Sequence, residues 1–322
     1  MKVSAVLFVI LAVIVGSYWL FGPSSVDRSR DGSQVETEHL DPEESASASG
    51  PKIETGFAEV NGTRLYYEVA GTGDPIVLIH GNFGDQRYYD GQFEALAKHH
   101  RVLRYDVRGY GKSMLPEEGV PYSDFEDLGA LMAHFDIDRA HLAGFSMGSA
   151  IAVDFCLAFP DRCSSLIVIG PWFYGYDSPL AQTLFQDFGT ISAAAVSGGR
   201  DAALEQLLAA TWWYPEKVSP QAFDYVRAIW SDYKFWHFKN PDPRRFLTPP
   251  AAEQLERITA PVLIITAEYD LDACRAVAHQ MDAEIPDSTT VDLAGATHFM
   301  LIEEPEEVNA AMLDFLVEAT GR

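Results

Sequence analysis

The chain has 322 residues, 48% of them hydrophobic, and carries 47 acidic against 23 basic side chains for a formal net charge of −24 at pH 7. That apolar content closes the core of one domain of about 250 residues with an insertion and tails, and it excludes disorder over most of the length. So acidic a surface repels polyanions, which excludes nucleic acid as a partner.

After Met1 and Lys2 comes the stretch VSAVLFVILAVIVGSYWLFG, twenty residues without a charge that close on Tyr18, Trp19 and Phe21. A run of this length spans a bilayer, and its aromatic end suits the interface. Residues 1–22 are therefore expected to be a membrane anchor with the globular part outside the cytoplasm. The alternative is a signal peptide cleaved near Val15-Gly16-Ser17, giving a secreted or periplasmic protein. Residues 23–52 are rich in Ser, Asp, Glu, Pro and Gly, which predicts a flexible acidic tether. One α/β domain is expected over 53–322.

That domain opens with GFAEVNGTRLYYEVAG, which alternates about Asn61-Gly62 and predicts a hairpin with a type I′ turn. Asn61-Gly62-Thr63 is also a glycosylation sequon, although the hairpin accounts for it. Short continuous apolar runs follow at 75–80, 102–105, 141–143, 166–169 and 262–266, with helical stretches between them. This pattern predicts a mostly parallel sheet covered on both faces, with ligands bound beyond the carboxyl ends of the strands.

The polar motifs fall at those ends. Gly111-Lys112-Ser113 has the last letters of a phosphate-binding P-loop, but such a loop needs glycine five positions before Gly111. Asp106 stands there, and its carboxylate repels phosphate. The stretch HLAGFSMGSAIAVDFCLAF places Gly144-Phe145-Ser146-Met147-Gly148 between a strand and a helix. In that context G-x-S-x-G is a nucleophile elbow: a sharp turn lifts the Ser146 hydroxyl above the sheet, and the two glycines let the backbones pass closely.

A serine hydroxyl needs a base, and the base needs an orienting acid. These follow in the chain order serine, acid, histidine. Asp270 lies just past an apolar strand in APVLIITAEYDLDACR, with Glu268 and Asp272 as neighbouring candidates. His298 follows the last strand in TVDLAGATHFM; His279, the one other histidine beyond the acid, falls within a helical stretch. An oxyanion would be met by the Met147 backbone N–H and by a second N–H from HGNFGD, either that of Asn82 or its neighbour Phe83. Cys156, Cys163 and Cys274 show no C-x-x-C or Cys/His metal spacing. Buried free thiols are the default expectation, with one bridge open to an exported chain.

From about residue 55 to 320 the chain resembles the α/β-hydrolases of the lid-bearing kind, through LIHGNFGD, YDVRGYGKS, GFSMGS, ITAEYD and GATHF in family order. The resemblance implies an α/β-hydrolase fold, a mostly parallel central sheet flanked by helices, with a helical lid inserted at about 172–250. It makes Asp106, Arg108, Gly109, Gly111 and Ser113 scaffold for a loop near the active site. Dehalogenases and epoxide hydrolases of this fold attack with aspartate, which Ser146 argues against. Aminopeptidase relatives often carry tryptophan after the serine, where this chain has Met147.

The inserted region holds Trp212, Trp213, Trp230 and Trp236. Trp172, Trp212 and Trp213, with Phe83, are candidate substrate-binding residues, and an aromatic ceiling favours a small apolar or aromatic ester-like substrate over a sugar or phosphate. No metal or organic cofactor is expected. The expected function is carboxylic ester hydrolysis through an acyl-enzyme. Lactonase, thioesterase and carbon–carbon hydrolase chemistry share the triad, and a small-ligand sensor on the same scaffold is the alternative of another class.

Overall fold

In the computed structural model the residues described are 51–321. The expected anchor or signal segment at 1–22, and the tether up to residue 50, lie outside them. Among the described residues no helix is long and apolar enough to cross a membrane.

The strands are β1 (Glu54–Val60), β2 (Thr63–Ala70), β3 (Pro75–Ile79), β4 (Arg101–Tyr105), β5 (Ala140–Phe145), β6 (Cys163–Ile169), β7 (Val262–Tyr269) and β8 (Ser288–Thr297). They form one sheet in the order β1-β2-β4-β3-β5-β6-β7-β8. The hairpin β1–β2 turns at Asn61 and Gly62, whose φ angles of 46° and 69° are the pair of positive values that a type I′ turn requires. The Asn61 amide donates to Asp127 Oδ1 at 2.6 Å, so this side chain ties the turn to the body of the domain. From β4 to β8 every pairing is parallel.

Between the strands run α1 (Asp90–Leu96), α2 (Asp124–His134), α3 (Met147–Ala158), α4 (Pro179–Leu208), α5 (Pro220–Asp232), α6 (Trp236–Lys239), α7 (Asp272–Glu284), α8 (Met300–Glu303) and α9 (Pro305–Thr320). The central strands are nearly continuous in their burial, and all of β5 is buried, as expected where crossover helices cover a sheet. Edge strand β8 is largely exposed and becomes buried only at Ala296 and Thr297, where it delivers the chain to His298. Helices α4 to α6 form an insertion between β6 and β7, and α4 is broken at Gly199, whose φ is 78°.

The stretch after β4 is a packed corner. The Asp106 carboxylate accepts the Gln86 N–H at 3.0 Å and the Lys112 N–H at 2.8 Å. Arg108 pairs with Asp127 at 2.8 Å, and the Ser113 hydroxyl donates to the Asp106 carbonyl at 2.6 Å. Any Cβ at Gly111 would collide with the Asp106 carboxylate. Gly-Lys-Ser therefore closes a turn around a buried acid, whose pKa burial raises to about 7.

One expectation is corrected here. Cys156, near the end of α3, is disulfide-bonded to Cys163 at the start of β6, while Cys274 is a free buried thiol. A single 3₁₀ turn at Pro160–Arg162 returns α3 directly into β6, which brings the two Cα atoms to 5.3 Å, within the span of a disulfide.

Candidate active site

Ser146 stands between the end of β5 and the start of α3 with φ 52° and ψ −116°, a conformation rare for a residue with a Cβ. Neighbouring bonds hold it there. Its N–H donates to the Ile169 carbonyl at 2.9 Å, and its carbonyl accepts the Ser149 N–H at 2.9 Å and the Ser149 hydroxyl at 2.5 Å. The turn closes because neither Gly144 nor Gly148 carries a Cβ: one on Gly144 would strike the Gly148 carbonyl, and one on Gly148 that of Ile79.

Asp270 follows β7 and His298 follows β8, and the parallel pairing of these two strands brings them together. His298 Nδ1 lies 2.5 Å from Asp270 Oδ1, which also accepts the Leu271 N–H at 2.7 Å. Asp270 is 1% exposed and its Oδ2 has no hydrogen-bond partner. The alternative acids are engaged elsewhere: Glu268 accepts the Gly295 N–H at 2.9 Å, and Asp272 accepts the Tyr214 hydroxyl at 3.2 Å. His279 lies within α7. Gly170, at φ 51°, leaves room for the pair, since a Cβ there would come within 2.8 Å of His298 Cε1.

Ser146 and His298 line one cavity of about 50 Å³, whose other walls include Asn82, Phe83, Phe188, Trp212, Trp230 and Phe299. Phe83 stacks on Phe238 at 5.1 Å between centroids. Trp172 lines the same cavity, and the Ser149 hydroxyl accepts its backbone N–H at 2.6 Å. Trp213 does not line it, which corrects its place among the candidate substrate contacts. It is 1% exposed, its Nε1 donates to the Leu207 carbonyl at 3.1 Å, and it packs against Phe223, Trp230 and Phe299. Trp230 takes the wall position instead.

The two candidates for the second oxyanion donor differ in their bonding. The Phe83 N–H donates to Asn82 Oδ1 at 2.9 Å, so it is already satisfied, and the Asn82 N–H is the remaining donor of the pair. Met147 is the first residue of α3, where an N–H has no acceptor within the helix. Sequence reasoning missed His80, which fastens this loop. Its Nε2 accepts the Val107 N–H at 2.9 Å, so Nδ1 carries the proton and donates to the Gly81 carbonyl at 2.8 Å. Burial pulls the His80 pKa down to about 4 and keeps the ring neutral. The signal was present in LIHGN, but it named no partner.

The ligand atoms of Asp270, Cys274 and His298 lie within 4.8 Å of one another. Burial and the Asp270 charge push the Cys274 thiol well up, toward the neutral form that binds metal poorly, and His298 and Asp270 are committed to each other.

The sequence matches the family model described as alpha/beta hydrolase fold over residues 74–305. It is 27% identical over 290 residues to a proline iminopeptidase of Heyndrickxia coagulans, covering 81% of this chain and 98% of the relative. The structure is similar to an enol-lactonase from Burkholderia xenovorans LB400, at TM-score 0.65 and 26% identity, covering 81% of this chain and all of the other. It is also similar to a thermophilic esterase from Thermogutta terrifontis, at TM-score 0.67 and 22% identity over 83% and 99% of the two chains.

Proposed function

The chain belongs to the alpha/beta hydrolase fold family, and on that premise we propose that it is a serine hydrolase cleaving a carboxylic ester of a small apolar or aromatic substrate through an acyl-enzyme. The observation that carries this reading is the meeting of the Ser146 elbow with the His298–Asp270 pair at one cavity. Ser146 Oγ attacks the carbonyl carbon while His298 Nε2 takes its proton. Asp270 holds Nδ1–H and stabilises the imidazolium. The negative oxygen of the tetrahedral intermediate is met by the N–H groups of Met147 and Asn82. Collapse breaks the ester bond, and the departing oxygen takes the proton from His298. Water then repeats the sequence on the acyl-serine and frees the acid.

The insertion α4–α6 acts as a lid, its aromatic side chains keeping the reacting atoms dry. Aspartate-nucleophile chemistry is disfavoured by serine at the elbow. Lactone opening is a second reading, favoured by the 26% identity to the enol-lactonase, since a lactone is an internal ester. The test is reaction of the purified chain with a fluorophosphonate, followed by peptide mapping. The expected result is an adduct on Ser146 that His298→Ala abolishes; no adduct on folded protein overturns the reading.

A further inference from the structure

Ser146 lies at the junction of two cavities. Beside the aromatic one, a second cavity of about 310 Å³ runs from Ser146 and Met147 to Tyr174, His237, Asp242 and Arg244. His298 lines the first and not the second. Because the leaving oxygen must receive its proton from His298, the leaving group belongs in the aromatic cavity and the acyl group in the second.

The far end of the second cavity is polar. Arg244 Nη1 lies 3.9 Å from the sulfur of Met147, and only 8% of the Arg244 side chain is exposed. Its Nη1 lies 3.1 Å from Asp124 and its Nε 3.3 Å from Asp242, and Nε also donates to the Tyr122 hydroxyl at 3.3 Å, so the guanidinium is fixed in place at the cavity wall. The Tyr174 hydroxyl is buried beside the Arg244 guanidinium, without a hydrogen bond of good geometry to it or to any other group. Buried donors of this kind discriminate strongly against a ligand that cannot satisfy them. Asp124 and Asp242 already balance the guanidinium charge, so a carboxylate would bring a third negative group to one positive one.

We propose that the preferred acyl group carries a neutral oxygen of the keto or hydroxy class, received by Arg244 and Tyr174. This rests on the serine-hydrolase reading and refines its substrate. Arg244 variants risk misfolding, because two acids would lose their partner; Tyr174→Phe removes one hydroxyl beside the guanidinium and leaves both of its ion pairs in place.

The test uses phenyl esters of alkanoic acids with a keto group at carbon 4, 5 or 6, beside unsubstituted and carboxy-terminated acids of matched length. Phenol release is measured for the full chain and for Tyr174→Phe. At one chain length the keto ester should exceed the alkanoate about tenfold in kcat/KM, with the carboxy ester slowest, and Tyr174→Phe should bring the keto-to-alkanoate ratio towards one. Equal rates at every length, an unchanged ratio in Tyr174→Phe, or a carboxy ester fastest overturns the inference alone. A fluorophosphonate adduct on Ser146 without cleavage of any keto ester does the same. No adduct and no cleavage overturns the hydrolase reading and the inference with it.

Discussion

At the carboxyl ends of β5 and β7, Ser146 and Asp270 are held by backbone groups close to them, and Asp270 in turn holds His298 at the end of β8. Ser146 is held by a positive φ and three bonds, and Asp270 by the Leu271 N–H. The insertion works differently. Trp212 and Trp213 are adjacent, yet Trp212 lines the cavity with no partner for its Nε1, while Trp213 turns into the insertion's own core and bonds Leu207. A strand end aims a side chain by local geometry, whereas a helix-and-loop insertion aims it by what it packs against. The first region is therefore intolerant of small changes, and the second is expected to tune selection.

Substitutions can break that contrast. Ser146→Ala is expected to lower ester hydrolysis by at least about 10⁴-fold with thermal unfolding unchanged, measured as phenol release beside calorimetry. Asp270→Asn should follow with a loss of about 10³–10⁴-fold, because the imidazole loses its orienting charge. Gly170→Ala adds only a methyl group, but it meets His298, and a loss of about 10²-fold in kcat is expected from the displaced ring. If Gly170→Ala were silent, the strand-end floor would be more forgiving than its geometry implies.

In the insertion, Trp212→Ala should act on selection, changing kcat/KM by about tenfold for esters with aromatic leaving groups and less for methyl esters. An equal loss for both classes would make Trp212 part of the floor's machinery rather than a selecting wall.

The smallest effect lies beneath both regions. Asp154 in α3 is buried, and burial raises its pKa from 3.8 to about 7. Between those values the folded chain keeps a proton that the unfolded chain releases, so stability contributed at low pH is lost as pH rises to about 7. Asp154→Asn should therefore gain stability over the parent, on the order of 1 kcal/mol above pH 7, with the gap closing towards pH 4. Paired denaturant titrations at the two pH values check it.

The legible parts share a short range. The turn at Asn61-Gly62, the elbow from Gly144 to Gly148, and the places of Asp270 and His298 after apolar runs could be read because each is decided within a few residues. Asp106 beneath Gly111 was legible as an obstacle to phosphate, although its role as the acceptor of two N–H groups was not. Arg244 carried no signal, since it sits in a loop and its meaning comes from Asp124, far away in the chain. Ser149, which bonds the elbow carbonyl, was hidden among the small residues of a helix.

Local backbone preference and apolar periodicity thus determined, from sequence alone, a mostly parallel sheet and the residues at its ends. Tertiary packing decided that Trp230 rather than Trp213 lines the Ser146 cavity and that Arg244 ends the second one, and only the structure showed that Cys156 meets Cys163 and that Phe83 gives its N–H to Asn82. The physical reason is that turns and strands are set by steric and hydrogen-bonding rules acting over neighbours, whereas the facing of an aromatic ring or a buried cation is set by whichever distant surface excludes water from it.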